Sequence, residues 1–222
     1  MSGFIFVLLM IICFGLFYVV HRYFGKHEFY LLTVIYSVLG FILSFKLVNI
    51  FGFDINLGIV FTSGILLNLY YFIYKFGKGE IKKFIEVVMI SVISVEIIMI
   101  INALMVPSIY DEVLGLFQNL LFENYMIFIL YPVILFGILL LCMYSFNELR
   151  SVEKYKELKT ILTIIGIMFI YVFTFMYFSY AVIFRFTDSL SISLDNYFVS
   201  TIVMIIYYLC GNRVMKMKKV KA

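Results

Sequence analysis

Seven stretches of this sequence are long and apolar enough to cross a lipid bilayer: about 3–20, 29–52, 56–75, 84–106, 125–146, 160–184 and 196–212. A helix rising 1.5 Å per residue needs about 20 mostly apolar residues to span the hydrocarbon. The last run is the shortest, so the count is six to seven. Soluble domains are about half apolar and a quarter charged. Here 65% of the residues are hydrophobic and 14% charged, with a mean hydropathy of +1.12. One water-facing globule of 222 residues cannot bury that much apolar surface, so lipid must act as solvent. The expected fold is all-α: a polytopic membrane helix bundle forming one domain over residues 1–222. Pro132 falls inside the fifth run and is expected to kink it or loosen a turn.

The basic residues then orient the chain. Lys and Arg gather on the cytoplasmic side of membrane proteins. Arg22 and Lys26 follow the first run, and Lys75, Lys78, Lys82 and Lys83 follow the third. Arg150, Lys154, Lys156 and Lys159 follow the fifth, and Arg213, Lys216, Lys218, Lys219 and Lys221 fill the tail. The opposite side holds Arg185 alone, and Lys46 falls within the second run. This predicts an integral membrane protein with its N-terminus outside and its C-terminus in the cytoplasm. The net charge of +4 therefore does not point to nucleic acid. The first run lacks a basic leader and a small-residue cleavage site, so it reads as a retained span. Tyr110, Leu114, Phe117 and Leu121 repeat at helical spacing outside the bilayer. That segment is either a helix lying on the membrane or an ordered external loop.

The chemistry-bearing residues are few. Cys13, Cys142 and Cys210 each lie in an apolar run without a CxxC pair, which argues against a disulfide or a metal site. His21 and His27 flank a short basic loop and read as solvated. Phosphate-binding, zinc-hydrolase and nucleophile-elbow motifs are absent, so neither an enzyme nor a cofactor is expected.

Polar groups at membrane depth are costly and are usually functional or paired. They are Lys46, Asn49, Asn68, Glu86, Glu96 and Asn102. Glu86 lies near a span end and reads as snorkelling. Glu96 lies about twelve residues into its span, about 18 Å deep. An acid there costs about 2.5–3.5 kcal/mol to insert. It should face the bundle interior, and a protonatable midplane acid suits proton coupling. Lys46 either snorkels outward, pairs with Glu96 or touches a solute. Span six is crowded with aromatics, among them Phe169, Tyr171, Phe175, Phe178 and Tyr180. These read as lipid-facing or packing groups before a stacking box.

A pattern runs through residues 21–85: Phe24-Gly25-Lys26, Lys46, Phe51-Gly52, Leu57-Gly58 and Phe76-Gly77-Lys78. It resembles the queuosine precursor transporter family, also called the VUT family of vitamin uptake transporters. The departures fall on the polar positions. Gly40-Phe41-Ile42-Leu43 stands where the family has Ala-Asn-Ile-Gln, and Tyr70 and Tyr74 stand where it has an Asp and a Glu. Ile59 replaces an Asn, and the fifth span lacks the family's Arg, Gln and Asp. The resemblance implies a secondary transporter in a prokaryotic plasma membrane. Its solute would be small and planar, a queuosine precursor or vitamin, with proton coupling through Glu96. The expected contacts are Lys46, Asn68, Tyr70, Tyr74, Glu96 and Asn102. The expected partners are lipid, the solute, and a second copy or another membrane protein. Loss of the family's polar residues supports an alternative, a diverged subunit that binds a partner and does not transport. The third reading is the solute-binding subunit of an ATP-driven system, which the scarcity of alanine disfavours.

Overall fold

A helix that is apolar all round has no preferred face toward lipid, so small and polar side chains set which faces pack together. A computed structural model of the protein describes residues 2–23, 25–104, 124–151, 154–181 and 184–219. Seven helices in it are long and apolar enough to cross a membrane. They are α1 (Ser2–Tyr23), α2 (Lys26–Leu43), α3 (Gly58–Phe76), α4 (Ile81–Leu104), α5 (Tyr125–Arg150), α6 (Lys156–Ala181) and α7 (Phe186–Lys219). The expected all-α membrane bundle is the fold that the chain forms. The segment around Tyr110–Leu121, expected to be a surface helix or an external loop, lies outside the described residues.

Helix α3 is the axis. Every residue from Gly58 to Ile73 is buried, because α2, α5 and α7 pack around it and α1 and α4 touch it. The outer helices present single stripes to the bundle interior. On α1 the buried positions are Phe6, Cys13, Phe17 and His21, and on α4 they include Phe84, Val88, Val92, Met99 and Ala103. The remaining sides of these helices expose Ile, Leu and Phe side chains, as lipid contact requires.

Two of the predicted spans need correction. The second run does not continue to residue 52. Helix α2 ends at Leu43, and strands β1 (Leu47–Ile50) and β2 (Phe53–Asn56) form an antiparallel hairpin with Val48 opposite Ile55. Its turn residues Phe51 and Gly52 have φ of 55° and 88°, the paired positive values of a tight two-residue hairpin turn. Hydropathy alone cannot separate a short apolar strand from a helix. Lys46 is thereby moved out of the span and stands exposed on the link between α2 and β1. The last helix, expected to be the shortest, is the longest at 34 residues. Its early polar residues Ser189, Ser193, Asn196 and Ser200 recur every three or four positions and are buried. The hydroxyls of Ser189 and Ser193 bond the backbone four residues back, so this low-hydropathy stretch is still a buried helix face.

The basic loops meet at one end of the bundle. Tyr71 Oη donates to the Tyr208 carbonyl at 2.8 Å, and Lys26 Nζ lies 2.5 Å from Glu80 Oε1. The bond from Lys26 holds the Glu80 carboxyl below the usual carboxylate range, with the charge of Lys83 adding to it. A lowered folded value stabilises the fold above the unfolded carboxylate pKa of about 4.3. That contribution is lost as pH falls through the lowered value. Thermal melts in detergent from neutral to acid pH should therefore show a smaller acid loss for Glu80→Gln than for the native chain. Parallel curves for the two proteins would remove the ion pair as a source of stability.

Candidate functional site

The expected site residues divide into three groups. Asn68 is fully buried and its hydrogen bonds are satisfied within the fold. Thr33 Oγ1 donates to the Phe29 carbonyl at 2.7 Å, so it accepts from Asn68 Nδ2 at 2.5 Å. The same amide donates to the Phe29 carbonyl at 3.3 Å. The Asn68 carbonyl oxygen is then the atom facing His21 Nε2 at 3.2 Å, and that nitrogen must carry a proton. His21 is 2% exposed, which corrects the reading of it as a solvated loop residue. It is packed by Phe17 at 4.0 Å and Phe29 at 4.1 Å between ring centroids. Asn68 thus joins α1, α2 and α3.

Tyr70 and Tyr74 lie one turn apart and line the same narrow cleft at the basic end of the bundle. Tyr70 is buried against Phe146, 5.1 Å away, and Tyr208, 5.5 Å away. Tyr74 is 39% exposed, and the Lys156 ammonium lies 4.7 Å from its ring centre.

Lys46, Glu96 and Asn102 do not line this cleft. Lys46 forms no ion pair among the described residues. Helix α4 begins earlier than expected, at Ile81, so Glu96 lies about 22 Å along it. Glu96 is half-buried on the stripe between Val92 and Met99 that faces the bundle, and Asn102 is half-buried one to two turns further on. Asn49 belongs to the hairpin, where its amide donates to Asp54 at 2.9 Å.

A different cluster lies one turn inside the hairpin end of the bundle, beside Gly40 of α2, Pro132 of α5 and a π turn in α6. Helix α2 contributes Gly40, against which Tyr131 Oη lies so close that a Cβ would come within 2.7 Å. Helix α5 contributes Tyr131, which precedes Pro132. Helix α6 contributes Tyr171, just before a π turn at Phe173–Tyr177. The extra residue of that turn rotates the rest of the helix: Phe178 is 55% exposed, while Tyr180 turns inward. The expected lipid-facing and packing roles of the span-six aromatics divide accordingly: Phe169 and Phe178 are exposed, and Tyr171, Phe175 and Tyr180 pack inside the bundle.

Thr62 Oγ1 on α3 donates to the Gly58 carbonyl at 3.1 Å. Its oxygen is therefore left to accept from Tyr131 at 3.2 Å and Tyr171 at 3.4 Å. Hydroxyl bonds usually measure about 2.7–2.8 Å, so both phenols are loosely held. Phe175 adds a flat wall: it stacks on Tyr171 at 12° and meets Tyr131 edge-on, 5.4 Å away. Ser63 Oγ and Ser179 Oγ are also buried without a hydrogen-bond partner among the described residues.

The Asn56 hub at the other end contrasts with this slackness. Its amide donates to the Ser44 carbonyl at 2.5 Å and to Tyr180 at 2.8 Å, and its oxygen accepts from Gly58 N at 2.8 Å. Asn196 Oδ1 accepts from Asn56 N at 2.7 Å. Sequence reading missed both clusters because Tyr, Thr and Ser carry no charge and blend into an aromatic-rich helix. The Gly-Pro-aromatic irregularities were the available signal. Compared with known protein families, with curated proteins and with solved structures, the chain matches none.

Proposed function

We propose that this integral membrane protein is a secondary transporter for a small planar solute, with Thr62, Tyr131 and Tyr171 as its central contacts. The supporting observation is the slack hydroxyl cluster against the enclosed helix α3, at the level of Gly40, Pro132 and the π turn. Solute sites form where transmembrane helices are irregular, because freed backbone and small residues let helices repack around a solute. Two loosely bonded phenols can exchange Thr62 for a solute's polar edge, and the Tyr171–Phe175 stack suits a flat ring. The resemblance over residues 21–85 supports the solute class. Glu96, facing the bundle from α4, is the proposed proton carrier. The N-terminus lies outside and the tail in the cytoplasm.

The test is uptake of labelled 7-deazaguanine precursors, related bases and vitamins by cells expressing only this protein. Accumulation above vector-only cells is expected. Tyr131→Phe and Tyr171→Phe should each cut it about tenfold, or about 1.4 kcal/mol. Their melting temperatures should stay near the native value, because the bonds lost are long. Glu96→Gln should abolish stimulation by a proton gradient. Absence of uptake across the whole panel would defeat the proposal. It would leave the second reading, a non-transporting membrane subunit, which the complete internal satisfaction of Asn68 and Asn56 favours.

A further inference from the structure

Three glycines of the bundle have a tyrosine where their own side chain would lie: Gly64 faces Tyr36, Gly211 faces Tyr71 and Gly40 faces Tyr131. The first two tyrosines are locked. Tyr36 Oη donates to the Cys13 carbonyl at 2.6 Å, and Tyr71 Oη donates to the Tyr208 carbonyl at 2.8 Å. A Cβ at Gly64 or Gly211 would run into ring carbons of these residues. Gly40 differs. A Cβ there would come within 3 Å of one atom only, the Tyr131 hydroxyl oxygen at 2.7 Å. Thr62 Oγ1 and Phe61 Cβ follow at 3.4 Å. The room over Gly40 is thus filled by the most loosely bonded of the three phenols, and both oxygens of the Thr62–Tyr131 pair border it.

The backbone does not call for glycine at this position. Gly40 lies inside α2 without a positive φ, and alanine is the better helix former. What alanine would remove is room. The Tyr131 hydroxyl would have to retreat by several tenths of an ångström to reach an ordinary contact distance. Its bond to Thr62 already measures 3.2 Å, near the limit of a hydrogen bond, so little displacement is needed to break it. The clash is with the end of a side chain, so the helices need not separate.

We propose that Gly40 is a positioning residue of the solute site, a seat that holds the Tyr131 hydroxyl toward Thr62. This role rests on the transport reading. It differs from a role in helix packing in one respect: the effect of Gly40→Ala should vanish once the Tyr131 hydroxyl is gone.

The experiment is the concentration dependence of uptake of a labelled 7-deazaguanine precursor by cells expressing the full chain, paired with thermal melts. Gly40→Ala should raise KM about tenfold, as Tyr131→Phe does, with the maximal rate per folded molecule and the melting temperature changing little. Gly40→Ala/Tyr131→Phe should match Tyr131→Phe within about twofold, where independent effects would multiply to about a hundredfold. Gly64→Ala is the control: it should lower the melting temperature and leave KM within about twofold. A multiplicative loss in the double variant, or an equal rise of KM in Gly64→Ala, would overturn the role. Should Gly40→Ala fail to fold, the double variant should fold, because its clash is gone; failure of both would assign Gly40 to the α2–α3 approach and overturn the role. Absence of uptake by the native protein would sink the transport reading and this role together. Uptake with an unchanged KM in Gly40→Ala would sink the role alone.

Discussion

Gly58→Ala should lower the melting temperature in detergent by about 6–12 °C, the equivalent of about 3 kcal/mol in a chain of this size. Gly58 opens α3 where that helix presses on the end of α2. A Cβ there would run into the Gly40 carbonyl oxygen, with Ser44 N at 2.8 Å and Ser44 Cα at 2.9 Å. All three are backbone atoms, and Ser44 is pinned through its carbonyl by Asn56. No flexible side chain can swing aside, so the two helices must separate and the Thr62 cluster one turn along must loosen. Gly166→Ala is the matched control. Nothing lies within 4 Å of its added Cβ, so the helix-propensity gain of about 1 kcal/mol acts unopposed. Thermal size-exclusion profiles of the two variants should diverge in opposite directions. Native-like melting of Gly58→Ala would mean that the α2–α3 approach is looser than described.

Asn68→Leu should also be strongly destabilising, by about 2–3 kcal/mol, because it strands the proton on His21 Nε2 in a site closed to water. The substitution separates two roles that the sequence alone left merged. A residue that holds α1, α2 and α3 together should lose stability on substitution, with uptake per folded molecule changing little. A solute ligand should lose uptake at an unchanged melting temperature. The hydrogen bonds to His21, Thr33 and Phe29 place Asn68 with the first kind. An uptake-dead Asn68→Leu protein that melts like the native one would restore it to the solute site.

Much of the architecture was legible because the bilayer imposes simple length and charge rules. Runs of about 20 apolar residues and the alternation of basic loops give seven helices without any knowledge of packing. Those rules fail where local chemistry overrides average hydropathy. The hairpin at Leu47–Asn56 was absorbed into a span because Leu47, Val48 and Ile50 are as apolar as a helix. The only contrary sign was Phe51-Gly52, a two-residue turn between alternating residues. The last apolar run starts only at 196 because Asp188, Ser189 and Ser193 reduce hydropathy, although Ser189 and Ser193 lie one turn apart on one helix face. The site was less legible than the fold. Charge drew attention to Lys46 and Glu96, and amide chemistry to Asn68, but depth along the chain does not reveal which helices touch. Tyr131 and Tyr171 carry no charge and lie 40 residues apart, so only the folded chain brings them to Thr62.

Alternate loops must lie on opposite sides of the membrane for the bundle to thread as described. Maleimide labelling in intact cells tests this directly, using Cys13, Cys142 and Cys210 replaced by serine and one new thiol at a time. Phe51→Cys, at the hairpin tip, should react with an impermeant reagent added outside, and Gly79→Cys, in the turn between α3 and α4, should react only after permeabilisation. Reaction of both from one side, or the reverse pattern, would contradict this threading.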